Sequence, residues 1–330
     1  MIDQGAGNDE LNQLADRLQA PCMLGDYRLE GRIRKTSTAL VFIAAGGVFG
    51  KDTEGVLKLT GQTYAPVLER ELGLLNWCSE VEIEGIVRPT RPQLEWLTVE
   101  GTDGRPPMSV SAMLMPFLSG GDLVQWIGEH ATRTGRLGAH LGLQVGEQVG
   151  GVLRDMLRLP RPLVHLDVKP QNVLLPFPGA PLTELTLIDL DASEELDIPL
   201  EDFASAPREI AELLQRDVHG FGELLFVLAT GREPPTDSTP DPHTGNAAFD
   251  RLVIKCLTAE AEVEEDYVCL ADNRLWKDLN DALDVEKTRP KPGLPTGRMR
   301  VLMDKRALAG IGGLLFVGLV AAIASKVFFG

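Results

Sequence analysis

The chain changes its hydrophobic period once, and that change limits what it can fold into. From Tyr27 to about Phe117 the apolar residues fall in short runs with β-branched members, YRLEGRIR, STALVFIAA and GVLKLT, broken by Gly46-Gly47 and Asp52. These read as strands. One stretch interrupts them: in Val67–Cys78, Leu68, Leu72 and Leu75 stand at i, i+4 and i+7, the spacing of an amphipathic helix. From Gly120 onward the helical period dominates, over Leu123–His130, Leu137–Leu157, Ile210–Thr230 and Phe249–Leu257. Pro/Gly clusters at Pro176–Pro181 and Pro234–Pro242 read as loops. The expected fold class is α+β: a small β-rich lobe over 27–116 followed by a larger helical lobe over 117–285. Residues 1–26 read as an N-terminal arm with a short polar helix.

The charge is equally uneven. Of the 330 residues, 32 are Lys or Arg and 48 are Asp or Glu, a net charge of −16. An acidic surface repels phosphate, which excludes a nucleic-acid binder. From Lys287 to the end, however, eight basic residues face a single acid, Asp304. The tail is therefore net +7 and the body net −23. Within the tail, 286–306 is a basic linker carrying Pro290, Pro292 and Pro295. Ala307–Ser325 then runs 19 residues without a charge, and a helix over 307–326 is long enough to span a bilayer. Lys and Arg crowd its N-terminal flank, so the body is expected on the cytoplasmic side of a C-terminal, single-pass anchor. Ala309/Gly313 and Gly318/Ala322 have small-xxx-small spacing, a weak signal for homodimer pairing. Residues 1–20 lack the apolar run of a signal peptide. Cys22, Cys78, Cys256 and Cys269 lie far apart, as reduced and mostly buried thiols do, and too widely for a zinc site.

Chemistry concentrates in Leu163–Leu175, LVHLDVKPQNVLL, which sets Asp167, Lys169 and Asn172 in a polar loop between two apolar runs. Downstream, Leu187-Ile-Asp-Leu-Asp191 is a strand ending in acid. Such residues converge where phosphate and Mg²⁺ are handled: a carboxylate to take a hydroxyl proton, an ammonium to neutralise phosphate, an amide oxygen and a second carboxylate to hold metal.

This loop resembles the protein-kinase pattern H-R-D-x-K-P-x-N at His165, Asp167, Lys169, Pro170 and Asn172. Other landmarks of that family stand in order around it. Val56-Leu-Lys58 is similar to its V-A-I-K lysine, and Glu71 to the partner glutamate on the following helix, with Glu69 as the rival. Met115-Pro-Phe117 and the glycines after it resemble the hinge. Ile188-Asp189-Leu190 resembles D-F-G, Ala206-Pro207 resembles A-P-E, and Arg216-Asp217-Val-His-Gly-Phe-Gly222 resembles the D-x-W-S-x-G helix start. The resemblance runs from about Tyr27 to Asp284. It implies a bilobal protein-kinase-like fold that uses ATP and Mg²⁺. Lys58, held by Glu71, would position the α- and β-phosphates. Met115 as gatekeeper, Phe117 in the hinge and Asp122 toward the ribose would hold the nucleoside. Asn172 and Asp189 would hold metal. Asp167 would accept the hydroxyl proton, and Lys169 would stabilise the transferring phosphoryl group. His165 and Asp217 would be structural.

The pattern also departs from the family. Aligning Val41–Ala44 with the strand after the glycine-rich loop puts Arg34, Thr36 and Ala39 where three glycines usually stand. Backbone N–H groups then approach phosphate less closely, and Arg34 and Thr36 are expected to contact it directly instead. Leu166 replaces the arginine of H-R-D, which argues against switching by loop phosphorylation. Asp191 replaces the glycine of D-F-G, and Arg208 the glutamate of A-P-E. The leading expectation is a membrane-tethered serine/threonine protein kinase acting on protein substrates, basic ones favoured by the acidic body. The alternatives are a membrane-tethered pseudokinase scaffold and, behind it, a small-molecule phosphotransferase.

Overall fold

A computed structural model describes residues 4–51, 53–101, 104–134, 137–236, 240–258 and 269–288. The compact body closes at Thr288. The expected linker and membrane span, 286–306 and 307–326, lie outside the described residues from 289 onward. No helix among the described residues is long and apolar enough to cross a membrane.

The strand-period region forms one antiparallel sheet of six strands: β1 (Cys22–Leu24), β2 (Tyr27–Lys35), β3 (Leu40–Gly46), β4 (Glu54–Thr60), β5 (Glu95–Val99) and β6 (Met108–Pro116), in the order β1-β2-β3-β4-β6-β5. Alternation in β2 buries Tyr27 and Leu29 and exposes Arg28 and Glu30. It then breaks: the β2–β3 register shifts between Leu29 and Gly31 and again between Arg32 and Arg34, the mark of bulges. Helix α1 (Gln4–Arg17) is the polar helix expected of the arm, yet it does not stand free. Leu11, Leu14 and Leu18 are buried in one core with Leu29, Phe42, Leu57 and Leu59 of the sheet. The Glu10 carboxylate also receives the backbone N–H groups of Gln62 and Thr63.

Helix α2 (Ala65–Glu80) covers the expected amphipathic stretch, and its apolar stripe of Leu68, Leu72 and Leu75 joins the core of the helical lobe. That lobe holds α3 (Leu123–Thr134), α4 (Ala139–Leu157), α5 (Arg208–Thr230), α6 (Ala247–Thr258) and α7 (Asn273–Thr288). The first four match the helices expected from periodicity. Helix α7 carries the body past residue 285, burying Leu275, Leu279 and Ala282. Four two-residue strands frame the loop between α4 and α5: β7 (Leu163–Val164), β8 (Val173–Leu174), β9 (Thr186–Leu187) and β10 (Glu194–Glu195). β8 pairs with β9 and β7 with β10, both antiparallel. They bring the 165–172 loop and Asp189 together at the edge of the lobe. Cys78, Cys256 and Cys269 are buried thiols and Cys22 is half-buried.

Candidate active site

Each site residue is presented by an element that the sequence forms for local reasons. Lys58 lies on the central strand β4, opposite Met113 of β6, and is 4% exposed. Glu71 is nearly two turns into α2 and also buried. The Lys58 ammonium donates to both Glu71 oxygens at 2.9 and 2.8 Å and to Asp189 Oδ1 at 2.6 Å. Glu69, the rival partner, lies instead in a separate groove between α2 and β5.

A cation and three carboxylates packed together decide the protonation states. Burial alone pulls the Lys58 ammonium down, but Glu71, Asp189 and Asp191 outweigh it and hold its pKa above the ordinary lysine value. Burial likewise pushes Glu71 up, to about 7, with Asp189 adding to the push and Lys58 opposing it. Asp189 moves the other way: Lys58 and Arg34 overcome its burial and keep it below the usual carboxylate range. Asp191 is raised by burial and by the neighbouring Asp189 charge.

The catalytic-type loop is held from beneath. Leu166 and Asp189 both have positive φ, +64° and +72°, a conformation that costs a non-glycine residue roughly 1–2 kcal/mol. Asp217, buried at the base on α5, offsets that cost by accepting the His165 and Leu166 backbone N–H groups at 2.7 and 2.6 Å. Gly220 lets α5 approach: a Cβ there would lie 2.9 Å from the Val168 carbonyl oxygen. His165 is fully buried. Its Nδ1 accepts the Asp167 N–H and its Nε2 lies 3.2 Å from the Ile188 carbonyl, the contacts of a packed, structural histidine. Above it the Lys169 ammonium donates to both Asp167 oxygens at 2.7 Å. Asn172 Nδ2 donates to the Asp167 carbonyl and to its Oδ2, which turns Asn172 Oδ1 toward the cleft.

The cleft between sheet and loop encloses about 450 Å³, a size suited to a small ligand. Val41, Val56, Met115 and Leu174 give it apolar walls, and Lys58, Asp189 and Asp122 stand among its polar groups. Met115 and Phe117 line it, together with Leu118 between that segment and the glycines. Asp122 also lines it, but its Oδ1 is engaged, accepting the Gln125 N–H at the start of α3. The Thr36 hydroxyl accepts the N–H groups of Thr38 and Ala39 and so closes the tight β2–β3 turn.

Arg34 reaches furthest into the site. It donates to Asn172 Oδ1 at 3.3 Å and pairs with Asp189 Oδ2 at 3.7 Å. Beside it the Thr38 hydroxyl donates to Asp191 Oδ2 at 3.2 Å. Two further ties went unread in the sequence. Arg70, next to Glu71, donates to the Ser193 carbonyl at 2.5 Å, and the Ser193 hydroxyl donates to the His165 carbonyl. Arg208, which stands where the family has the glutamate of A-P-E, pairs locally with Glu212, and Arg274 pairs with Asp272.

As donors for a divalent ion, Asn172 Oδ1 and the Asp189 carboxylate are hard oxygens of the type Mg²⁺ takes. No group of three or more His, Cys, Asp or Glu among the described residues is arranged to hold a metal alone. The donor set thus fits an ion shared with ligand phosphates.

No protein-family model matches the chain. In sequence it is similar to the serine/threonine-protein kinase PkaA of Streptomyces coelicolor, 27% identical over 229 residues. That match covers 63% of this chain, which spans about two fifths (39%) of the relative's length. In structure it is similar to the BubR1 kinase domain, with a TM-score of 0.55 at 15% identity, over 86% of this chain and 93% of the other. The body of this chain accordingly has a protein-kinase-like fold.

Proposed function

We propose that the chain is an ATP-dependent serine/threonine protein kinase, tethered to a membrane by its basic linker and C-terminal apolar segment. The observation that carries this reading is the placing of two polar sets side by side, the Ile188 N–H beside Asp189 donating to the Asn172 carbonyl at 3.0 Å. Lys58, Glu71 and Asp189 form one, and Asp167, Lys169 and Asn172 the other.

The chain's own groups suit the reaction. The apolar walls and the 115–118 segment receive the base, and Lys58, fixed by two carboxylates, faces the α- and β-phosphates. Asn172 and Asp189 would hold Mg²⁺, which would supply charge neutralisation to the phosphates. Asp167 orients the substrate hydroxyl and accepts its proton as the oxygen bonds to the γ-phosphorus. The bond from that phosphorus to the β-phosphate oxygen breaks, and ADP leaves. Lys169, already paired with Asp167, stabilises the charge on the transferring group. Positioning and electrostatics supply the rate. The net −23 body favours basic protein substrates.

The Arg34 contact favours a second reading, a nucleotide-binding pseudokinase, because it engages the two metal-type donors from a position where the related family has glycine. Incubating the full chain with labelled ATP, Mg²⁺ and a basic test protein separates the two. Transfer is expected to fall about 10²–10⁴-fold in Asp167→Asn. Wild-type transfer equal to that of Asp167→Asn and Asp189→Ala controls rejects the active kinase.

A further inference from the structure

We propose that Arg34 is a resident cation of the phosphate site, competing with divalent metal for the Asn172–Asp189 pair and standing in for it when nucleotide binds. The inference rests on the reading of the cleft as a nucleotide site.

Its basis is a geometry that the sheet creates. The register shift between Arg32 and Arg34 breaks the alternation of β2, and Arg34 faces Val41 of β3 within reach of the opposite lobe. Its Nη1 donates to Asn172 Oδ1 and its Nη2 faces Asp189 Oδ2. A guanidinium presents a planar fork of donors, keeps its charge at every working pH and is weakly hydrated. It thereby satisfies the two oxygens that a shared Mg²⁺ would use. A divalent ion on the same oxygens would sit against like charge, so it enters only as Arg34 leaves.

The surroundings hold Arg34 in this role. Lys58 is already committed to Glu71 and Asp189 Oδ1, and Lys169 to Asp167. Asp189 Oδ2 is the oxygen left to Arg34. The neighbouring Thr38–Asp191 hydrogen bond fastens the tip of the same hairpin to the residue two beyond Asp189. The arginine is therefore anchored at both the hairpin and its target. Around a nucleoside triphosphate, its remaining donors would face the phosphates at the place where, without glycine, backbone N–H groups approach less closely.

The test compares the full-length wild type with Arg34→Ala and Arg34→Lys, in two measurements. Arg34 is about one-third exposed (36%) on a hairpin strand, and unchanged thermal unfolding of the variants checks that they fold. In the first measurement, Mn²⁺ alone is titrated and free ion is followed by its paramagnetic resonance signal. Arg34→Ala is expected to bind Mn²⁺ about tenfold more tightly than wild type. In the second, a non-hydrolysable ATP analogue is titrated in chelator and in Mg²⁺. Wild-type affinity is expected to change less than about threefold between the two. Arg34→Ala should lose at least about tenfold in chelator and recover in Mg²⁺. Arg34→Lys, which keeps the charge but loses the fork, should fall between them. Equal Mn²⁺ affinity in wild type and Arg34→Ala, or equal metal dependence of their nucleotide binding, overturns the inference. Absence of nucleotide binding in every arm overturns the proposed function and the stand-in role together, whereas the Mn²⁺ comparison decides the competition by itself.

Discussion

Replacing Asp217 with Asn isolates what holds the catalytic-type loop in its strained shape. The carboxylate is 2% exposed and accepts two short backbone hydrogen bonds, from His165 at 2.7 Å and Leu166 at 2.6 Å. Hydrogen bonds to a charged acceptor are worth about 1.5–3 kcal/mol each, and a buried N–H left without a partner costs about 1–3 kcal/mol. Asn keeps one acceptor but turns an N–H₂ toward the second N–H. Against this, Asn relieves the burial of a charge, which already holds the Asp217 pKa above the ordinary carboxylate value. The net expectation is a loss of about 1–3 kcal/mol for Asn and roughly 2–6 kcal/mol for Ala, which satisfies neither N–H. Leu166, at φ +64°, contributes a further roughly 1–2 kcal/mol of stored strain that favours the loop's escape once the brace is weakened. The loop should therefore move before the domain unfolds. Asp167 follows Leu166 directly, and a displacement of about 1 Å costs on the order of 10²-fold in rate. Urea unfolding paired with phosphoryl-transfer kinetics reads both effects. For Asp217→Asn we expect a modest stability loss, kcat down about 10²-fold and KM for ATP nearly unchanged, since Asp217 lies beneath the loop rather than in the cleft. A variant within about 0.5 kcal/mol of wild type with unaltered kcat would refute the reasoning.

Glu71 gives a pH dependence of definite sign. Its pKa is about 7 in the folded protein against an ordinary 4.5, so between those values the folded state holds a proton that the unfolded state has lost. Wild-type stability should thus fall relative to Glu71→Gln as pH rises through this window, read by denaturant unfolding at both ends. A pH-independent difference between the two proteins contradicts the assignment. For the anchor, full-length protein should remain in the membrane fraction after carbonate extraction, while a chain ending at Thr288 is soluble. Release of the full-length chain rules out a spanning helix.

The sequence by itself determined the elements that depend on neighbours along the chain. The strand runs, the leucines of α2 and the long helices are legible because a period sustained over about six residues or more reports burial directly. Lys58, Asp167, Lys169, Asn172 and Asp189 are legible as candidates because each sits at a fixed offset within a short motif, whereas Glu71 and its rival Glu69 are separated only by the contact of Glu71 with Lys58. Tertiary structure alone decided how these meet and what intrudes on them. Strands β7 to β10, two residues each, are too short to show a period, yet they position the whole loop. The pairing of Arg34 with Asn172 spans 138 residues, and that of Thr38 with Asp191 spans 153. Both depend on register shifts in β2 that no one-dimensional alternation contains. Sequence spacing could align Arg34 with a missing glycine; only the folded hairpin turns that substitution into a cation laid against Asn172 Oδ1 and Asp189 Oδ2.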